Sequence, residues 1–158
     1  MRNLNDSQYI GVDISAETIQ AFRFNGLGEI LVHRVVDIPT PSMPGAVTVV
    51  LCEMIQTIDP NNQANIVGIA LSCDIDYERR VVIRSIDYPG WIKVPLAEWL
   101  EIRLQRKVVL GDKADCILCG RTWQSECSFS NDMSLLAMGA ARLAVEKLTS
   151  FLSGQNKG

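Results

Sequence analysis

The feature that most limits the fold lies in residues 9–38, where an Asn-Gly turn separates two strand-like segments. Asn25-Gly26-Leu27-Gly28 supplies residues that tolerate a positive φ, as a tight hairpin turn requires. Apolar and polar residues alternate over 18–24, and the return strand follows at 29–38. An apolar segment at 9–14 precedes both strands. This pattern predicts a three-stranded antiparallel meander.

Helices and strands alternate after the meander. Pro44 can open a helix because its missing N–H would be unpaired there, and Asp59-Pro60 ends that helix. The predicted helices are 45–58, 95–105, 114–123 and 131–153, and 124–130 is predicted as a polar connector. The predicted strands are 66–71 at the centre of the sheet, 80–85 at an edge, and 108–110. The order predicts an α/β fold, a mixed sheet covered by helices.

Composition excludes several functional classes. The chain has 158 residues and a net charge of −3, whereas general nucleic-acid binders usually need a basic face. No segment has the ~18 uninterrupted apolar residues of a membrane span. The first six residues lack the apolar run of a signal peptide. We therefore expect a cytoplasmic protein with neither nucleic acid nor membrane as partner.

The five cysteines fit a reducing compartment, since their number is odd and most have apolar neighbours. Cys116 and Cys119 have the CxxC spacing of zinc and redox sites. A zinc site would need two further ligands, and the single histidine, His33, falls in a predicted strand. We therefore predict no metal site and interpret the two cysteines as helix residues three apart.

Three stretches are more specific than periodicity. They are 10–19, which begins Ile-Gly-Val-Asp-Ile, 67–82, and 88–96, which contains Pro-Gly-Trp-Ile-Lys-Val-Pro-Leu. Together they resemble the N-terminal lobe of the ROK family (repressor, open reading frame, kinase), which contains bacterial glucokinases, other sugar kinases and sugar-responsive repressors. The resemblance covers about 9–123. It implies the ribonuclease H-like fold of the actin-like ATPases, with a mixed five-stranded sheet, three antiparallel strands then parallel ones, and helices on both faces.

The segment 134–144 is similar to the end of ROK proteins, where a Gly-Ala-Ala-x-Leu-Ala helix closes the chain. The resemblance implies a tail (1–8), a lobe (9–123), a final helix (131–153) that packs back on the lobe, and a disordered tail (154–158). The second lobe of the family would then be missing between about Trp123 and Ser130.

The first hairpin departs from the family pattern. ROK kinases carry Asp-Ile-Gly-Gly-Thr-Lys there, and the glycines let the backbone approach the ATP phosphates. Asp13 and Ile14 match, but Ser15, Ala16, Glu17 and Thr18 follow. The resemblance makes Asp13, Ser15 and Thr18 the candidate residues for nucleotide and Mg²⁺. The alternative for Asp13 is a solvated or capped residue at the end of a strand.

The family's base motif, Asn-Asp-Ala-Asn, is replaced by Asp112-Lys113-Ala114-Asp115. The resemblance puts Lys113 at the position of the catalytic base, and a protonated lysine cannot accept the proton of a sugar hydroxyl. Loss of a positioned base costs about 10²–10⁴-fold in rate. A slip of one residue in the alignment would make Asp112 the base instead. The alternative for Asp112 is the N-cap of the helix that follows.

The sugar-contact loop is partly retained. The family's Pro-Asn-Leu-Pro-Gly-Trp corresponds to residues 86–91, Ile-Asp-Tyr-Pro-Gly-Trp. The resemblance makes Asp87, Gly90 and Asp112 the candidate contacts to a sugar ligand. Trp91 is interpreted as a core residue rather than a platform for a ligand.

These departures favour a degenerate, single-lobe ROK homologue without kinase activity that acts as a binding or regulatory module. It would pair with itself or with a protein that completes the missing lobe, and it would need no cofactor. The alternative is an ATP-dependent hexose kinase half-site completed by a second chain, in which case ATP-Mg would bind. A sugar-responsive regulator is disfavoured, because the eight residues before Tyr9 are too few for a helix-turn-helix.

Overall fold

The computed structural model describes residues 7–127 and 135–155. The strands within these ranges are β1 (Gln8–Ile14), β2 (Thr18–Asn25), β3 (Ile30–Asp37), β4 (Ile66–Leu71), β5 (Cys73–Asp76), β6 (Val81–Ser85), β7 (Ile92–Val94) and β8 (Lys107–Asp112). The helices are α1 (Pro44–Ile58), α2 (Leu96–Leu104), α3 (Lys113–Cys127) and α4 (Leu135–Gln155).

The main sheet has five strands in the order β3-β2-β1-β4-β8. The pairs β1–β2 and β2–β3 are antiparallel, whereas β1–β4 and β4–β8 are parallel. The predicted meander and mixed sheet are therefore confirmed. Asn25 closes the β2–β3 turn, because its Oδ1 accepts the N–H groups of Leu27 and Glu29, both at 3.0 Å. Gly28 completes the turn with a φ of 80°.

A second sheet, in the order β5-β6-β7, was not predicted. The segment expected as an edge strand is β6, and that prediction is wrong because β6 pairs with β5 on one side and β7 on the other. The two flanking strands have only four and three residues, too few for alternation to identify them.

The last two helices differ from the prediction at their ends. α3 continues to Cys127, so 124–127 is helical rather than a polar connector. This stretch contains Gln124 and Glu126, both good helix formers. α4 begins at Leu135 and runs to Gln155, two residues past the predicted end at 153. The predicted helix start at 131–134, the first six residues of the predicted N-terminal tail and the last three of the C-terminal tail lie outside the described residues.

Helices cover both faces of the main sheet, as predicted. Residues of α1 and α2, such as Leu51 and Leu100, join a buried core with β1, β4 and β8. On the opposite face α4 lies directly on the strands. A Cβ added to Gly11 would be 1.8 Å from the carbonyl oxygen of Ala137, and one added to Gly68 would be 1.9 Å from that of Ala140. The glycines of β1 and β4 therefore let the backbone of α4 touch the sheet.

Among the described residues, no helix is both long enough and apolar enough to cross a lipid bilayer.

Candidate functional site

The candidate site lies where the parallel strands of the main sheet end. β1, β4 and β8 run in the same direction, so their carboxyl ends lie at one edge of the sheet. Asp13 is one residue from the end of β1, Asp112 ends β8, and Lys113 begins α3. Open α/β sheets bind their ligands at this edge. The structure therefore brings the predicted nucleotide residue Asp13 and the altered base position, Lys113, to one place.

Lys113 and Asp13 form an ion pair across this edge. The Lys113 Nζ lies 3.5 Å from the Asp13 Oδ1, and both side chains are partly buried. Burial raises the pKa of Asp13 above its usual value, and the positive charge of Lys113 opposes that rise. Lys113, predicted at the base position, therefore serves as the counter-ion of Asp13, predicted at the nucleotide position. The sequence interpretation of Asp13 as a solvated or capped residue missed this partner.

A magnesium ion does not fit Asp13 in this arrangement. Mg²⁺ binds carboxylate oxygens at about 2.0–2.1 Å and keeps several of its waters. The ammonium group of Lys113, 3.5 Å from the Asp13 Oδ1, stands within the space that those waters need. It would also repel the metal. Lys113 would have to leave before Asp13 could hold a hydrated cation.

Asp112 caps α3. Its Oδ1 accepts the backbone N–H of Asp115 at 2.9 Å, which confirms the N-cap interpretation. Its other oxygen, Oδ2, lies 3.3 Å from the hydroxyl of Tyr77, and its backbone N–H donates to that hydroxyl at 3.2 Å. The Asp115 Oδ2 is also within 3.0 Å of the Tyr77 hydroxyl. Both oxygens of Asp112 thus have partners within the fold.

The hairpin turn between β1 and β2 is closed by its own side chains. The Ser15 Oγ donates to the carbonyl of Thr18 at 3.0 Å and accepts the Thr18 N–H at 3.4 Å. Every residue of this turn has a negative φ, so none needs to be glycine. Ala16 and Glu17 are exposed at the tip. The structure brings the candidates Ser15 and Thr18 together, but they bind one another.

The predicted sugar-contact loop, 86–91, packs against this turn. The hydroxyl of Tyr88 donates to the backbone carbonyl of Ser15. Trp91 is buried, stacks on Tyr88 with 5.0 Å between ring centroids, and donates from Nε1 to the carbonyl of Ser42 at 2.8 Å. The interpretation of Trp91 as a core residue is confirmed. Gly90 is exposed, and an added Cβ there would meet no atom within 4 Å.

Of the two candidate sugar contacts in the loop, Asp87 is half-buried and Gly90 is exposed.

Burial, followed by the negative charge of Asp87, raises the pKa of Tyr88 to about 12. The neutral hydroxyl of Tyr88 therefore remains a donor at any physiological pH. Nothing in the packing requires Gly90 to lack a side chain, so the open space above it is available to a ligand or a partner.

Sequence reasoning gave no role to two tyrosines that organise this edge. Tyr88 lies inside the sugar-contact loop, between Asp87 and the predicted core residue Trp91. That position could have predicted a structural role for its ring and hydroxyl. Tyr77 lies in the turn between β5 and β6, and β5 was not predicted, so no signal pointed to it. Burial is the main cause that raises the pKa of Tyr77 above its usual value.

The cysteines of the CxxC segment lie on α3, as interpreted. Cys116 is fully buried, and burial raises the pKa of its thiol well above its usual value. The Cys119 thiol faces the Glu146 Oε2 at 3.7 Å. Within 7–127 and 135–155, no group of three or more His, Cys, Asp or Glu residues is arranged to hold a metal. His33 lies on β3, stacked on Phe22 with 4.0 Å between centroids.

No protein-family model matches the chain. A curated glucokinase of Thermotoga maritima is 30% identical over 114 residues, which are 72% of this chain and 36% of the glucokinase. The solved structure of a ROK family glucokinase from Streptomyces griseus, in complex with glucose and AMPPNP, matches with a TM-score of 0.66 and 22% identity. The match covers 79% of this chain and 38% of that one.

The ROK hexokinase of Thermus thermophilus matches with a TM-score of 0.65 and 22% identity, over 72% of this chain and 38% of the hexokinase. The chain thus spans a little over a third of the length of each of these relatives. The sequence match to a glucokinase and the structural matches to ROK enzymes agree with each other and with the motifs at 10–19 and 88–96. The chain is therefore similar in sequence to a glucokinase, and it has the actin-like ATPase fold of about a third of a ROK sugar kinase.

Proposed function

We propose that this chain is a single-lobe ROK homologue that binds a protein partner and does not transfer phosphate. The observation that carries the proposal is the ion pair between Lys113 and Asp13, 3.5 Å apart. The resemblance puts Lys113 at the base position and Asp13 at the metal position. The pair therefore supports the proposal, because a cation stands where a proton acceptor is needed and the carboxylate that a metal would need already has a partner. A proton acceptor and a bound metal are the two groups on which phosphoryl transfer to a hydroxyl depends.

The connection between α3 and α4 supports the proposal. Only seven residues, 128–134, separate the two helices. A kinase active site of this family lies between two lobes, as the resemblance implies, and seven residues cannot form a lobe. α4 instead packs directly on β1 and β4, next to Gly11 and Gly68.

Exposed isoleucines beside the sugar-contact loop supply a surface for the partner. Ile86, the first residue of the loop, is 79% exposed, and Ile92, which directly follows the loop, is 64% exposed. Tyr88 and Trp91 fix that loop against the β1–β2 turn and the core. Apolar residues on a rigid loop beside an open edge are suited to an interface. We propose a second copy of this chain as the partner, since a two-fold pair would cover this apolar surface on both copies at once.

A coupled assay for ADP tests the absence of catalysis. The chain is mixed with ATP-Mg and a panel of hexoses, and Lys113→Ala is purified in parallel as the control for contaminating kinases. We expect equal rates for both proteins, at the level of the buffer. Turnover near the ~1–100 s⁻¹ of kinases that Lys113→Ala abolishes would refute the proposal.

Light scattering tests the self-association. We expect a dimer at high protein concentration, and we expect Ile86→Asp and Ile92→Asp to shift it towards monomer. Ile102→Asp is the matched control, because Ile102 is 65% exposed on α2 and lies outside the loop. A wild-type protein that stays monomeric, or an equal effect of the control, would contradict a dimer through this loop.

A sugar-kinase half-site completed by a second chain is the other candidate function. It is favoured by the retained loop at 86–91 and by Asp13 and Asp112 at the same edge of the sheet. It requires ATP-Mg binding to appear only in the complex. Isothermal titration of ATP-Mg, with and without the product of a neighbouring open reading frame, separates the two functions. Heat that appears only with that product would support the half-site.

A further inference from the structure

The two edge strands of the main sheet differ in what covers them. At one edge the β5–β6 hairpin covers β8: the Arg80 Nη2 donates to the carbonyl of Val108 at 2.7 Å, and the Tyr77 hydroxyl accepts the N–H of Asp112 at 3.2 Å. At the other edge β3 pairs with β2 alone. Among the described residues, no side chain forms a hydrogen bond with the backbone of Ile30–Asp37. The outward N–H and C=O groups of β3 are therefore available to another strand.

β3 lacks the devices that usually keep an edge strand from pairing. Such strands are often very short, or they carry Pro or Lys. β3 has eight residues, and none of them is Pro, Lys or Gly. Its pairing with β2 is regular from Val32 to Asp37, and His33 stacks on Phe22. Val35 is 49% exposed at the middle of this regular stretch. The strand is therefore long and regular enough to accept a neighbour over several residues.

A groove of about 390 Å³ lies between β3 and α1, beside the open edge. Val36, Val50 and Met54 supply its apolar lining, and Arg34 and Glu53 add one charge of each sign. The two charges balance, so the groove favours an uncharged apolar side chain over an ion. Successive side chains of a strand point to opposite faces of a sheet. Every second side chain of a strand added to β3 would therefore point to the face of the groove.

The end of β3 is acidic. Asp37, its last residue, is exposed, and so is Glu17 beside it, whose carbonyl accepts the N–H of Ile38 at 2.9 Å. Within the described part of the chain, neither carboxylate takes part in an ion pair. Two exposed carboxylates at one end of the edge favour a basic residue in whatever pairs there.

We propose that the outer edge of β3 binds an extended segment of another protein as an added antiparallel strand. Alternate apolar side chains of that segment lie in the groove, and a basic residue lies beside Asp37. In this mode of recognition the main-chain hydrogen bonds supply affinity and the side-chain pockets supply specificity. The surface does not include residues 86–92, so the inference does not depend on the function proposed above.

Protein-observed NMR on the ¹⁵N-labelled full chain tests the proposal, with the peptide acetyl-Lys-Lys-Val-Thr-Val-Thr-amide as the probe. Paired antiparallel, the peptide places its second lysine opposite Asp37 and its valines opposite Val36 and Arg34, on the face of the groove. We expect saturable shifts of the amides of 32–37 and of the α1 amides that line the groove. We expect none at β8.

Two N-methylated analogues of the peptide keep its side chains and serve as matched controls. Successive N–H groups of a strand point to opposite sides, so either the valines or the threonines donate to β3. One analogue is methylated at both valine nitrogens and the other at both threonine nitrogens. We expect one of them to raise the Kd at least about tenfold, as for loss of two backbone hydrogen bonds, and the other to stay within about twofold.

Asp37→Asn tests the basic residue of the partner. It should raise the Kd of the peptide about two- to fivefold, as for loss of an exposed ion pair. Glu78→Gln should leave the Kd unchanged, because Glu78 is an exposed acid in the turn between β5 and β6, at the opposite edge.

The absence of saturable shifts in β3 would overturn the proposal, and so would equal Kd values for the two N-methylated analogues. An effect of Glu78→Gln as large as that of Asp37→Asn would overturn the placement of the basic residue. Amides of β3 that shift with protein concentration when no peptide is present would assign this edge to a second copy of the chain and overturn the proposal as well.

Discussion

Two acid–base pairs lie at opposite ends of the main sheet, and they differ in how completely the fold surrounds them. Asp59 and Arg106 pair at 2.6 Å near the amino ends of β4 and β8, and both side chains are buried. Asp59 also accepts the N–H groups of Gln63 and Ala64, at 3.0 and 2.8 Å. Arg106 donates as well to the carbonyls of Asp59 and Ala64, at 2.9 and 3.2 Å.

Asp13 and Lys113, at the carboxyl ends, make one contact at 3.5 Å and remain partly open to solvent. The Asp59–Arg106 pair joins the end of α1 to the starts of β4 and β8, so it is part of the architecture. The Asp13–Lys113 pair joins two side chains that make few other polar contacts. The first pair therefore maintains the fold, whereas the second sets the chemistry of an edge that the fold leaves accessible.

The largest effect we predict comes from breaking the buried pair. Arg106→Met would remove the nearer of the two cations of the buried Asp59 carboxylate and leave Arg23, 3.8 Å from its Oδ1. Breaking a buried pair typically costs about 3–5 kcal/mol. We expect a loss of that size in the free energy of unfolding, measured by urea denaturation. Arg103→Met, at an exposed position on α2, is the control and should change it by less than about 0.5 kcal/mol. Equal effects of the two changes would mean that the buried pair is not a structural element.

A smaller effect should follow from disturbing only the face on which α3 and α4 pack. Gly68→Ala places a Cβ 1.9 Å from the carbonyl oxygen of Ala140, so α4 has to move away from the sheet. Overpacking of this kind costs about 1–3 kcal/mol, to be measured by urea denaturation. Gly90→Ala is the matched control, since its Cβ would meet no atom within 4 Å. Gly68→Ala should also shift the amide NMR signal of Lys113 more than that of Arg106, because the change disturbs the face on which α3 and α4 pack. Larger shifts at Arg106 would contradict the separation between the two ends of the sheet.

The smallest effect on stability should come from the partly open pair. Lys113→Ala should change the free energy of unfolding by about 1 kcal/mol, the upper end of the range for exposed ion pairs, because both side chains are partly shielded from solvent. It should also raise the pKa of Asp13 further, because burial already raises that pKa and Lys113 opposes the rise. A ¹³C NMR titration of the Asp13 carboxyl group measures this shift. An unchanged midpoint would show that the two side chains are not coupled in solution.

The sign of the pH dependence follows from that raised pKa. The folded state binds the proton of Asp13 more tightly than the unfolded state does, so the contribution of Asp13 to stability grows as pH falls from the folded pKa towards the usual value of 3.8. Above the folded pKa this contribution is absent. Lys113→Ala should extend the window upwards in pH.

The sequence was informative where a local pattern has one physical meaning. The Asn25–Gly28 turn, the apolar β4 strand and the position of Asp112 before a helix all predicted what the structure contains, because turn geometry, burial and capping depend on neighbours in the chain. The small sheet was missed because β5 and β7 are short, and their extended conformation depends on pairing with β6. The Asp13–Lys113 contact joins residues a hundred positions apart, and only the folded sheet brings them together.

Because Lys113 is the counter-ion of Asp13, we expect Asp13 to hold no metal. Titration with Mn²⁺, a paramagnetic substitute for Mg²⁺, tests it through the line width of the Asp13 amide in ¹⁵N spectra. We expect little broadening in the wild type and in a Lys107→Ala control, and selective broadening in Lys113→Ala, where the carboxylate is freed. Equal, saturable broadening of the Asp13 amide in all three proteins would contradict it.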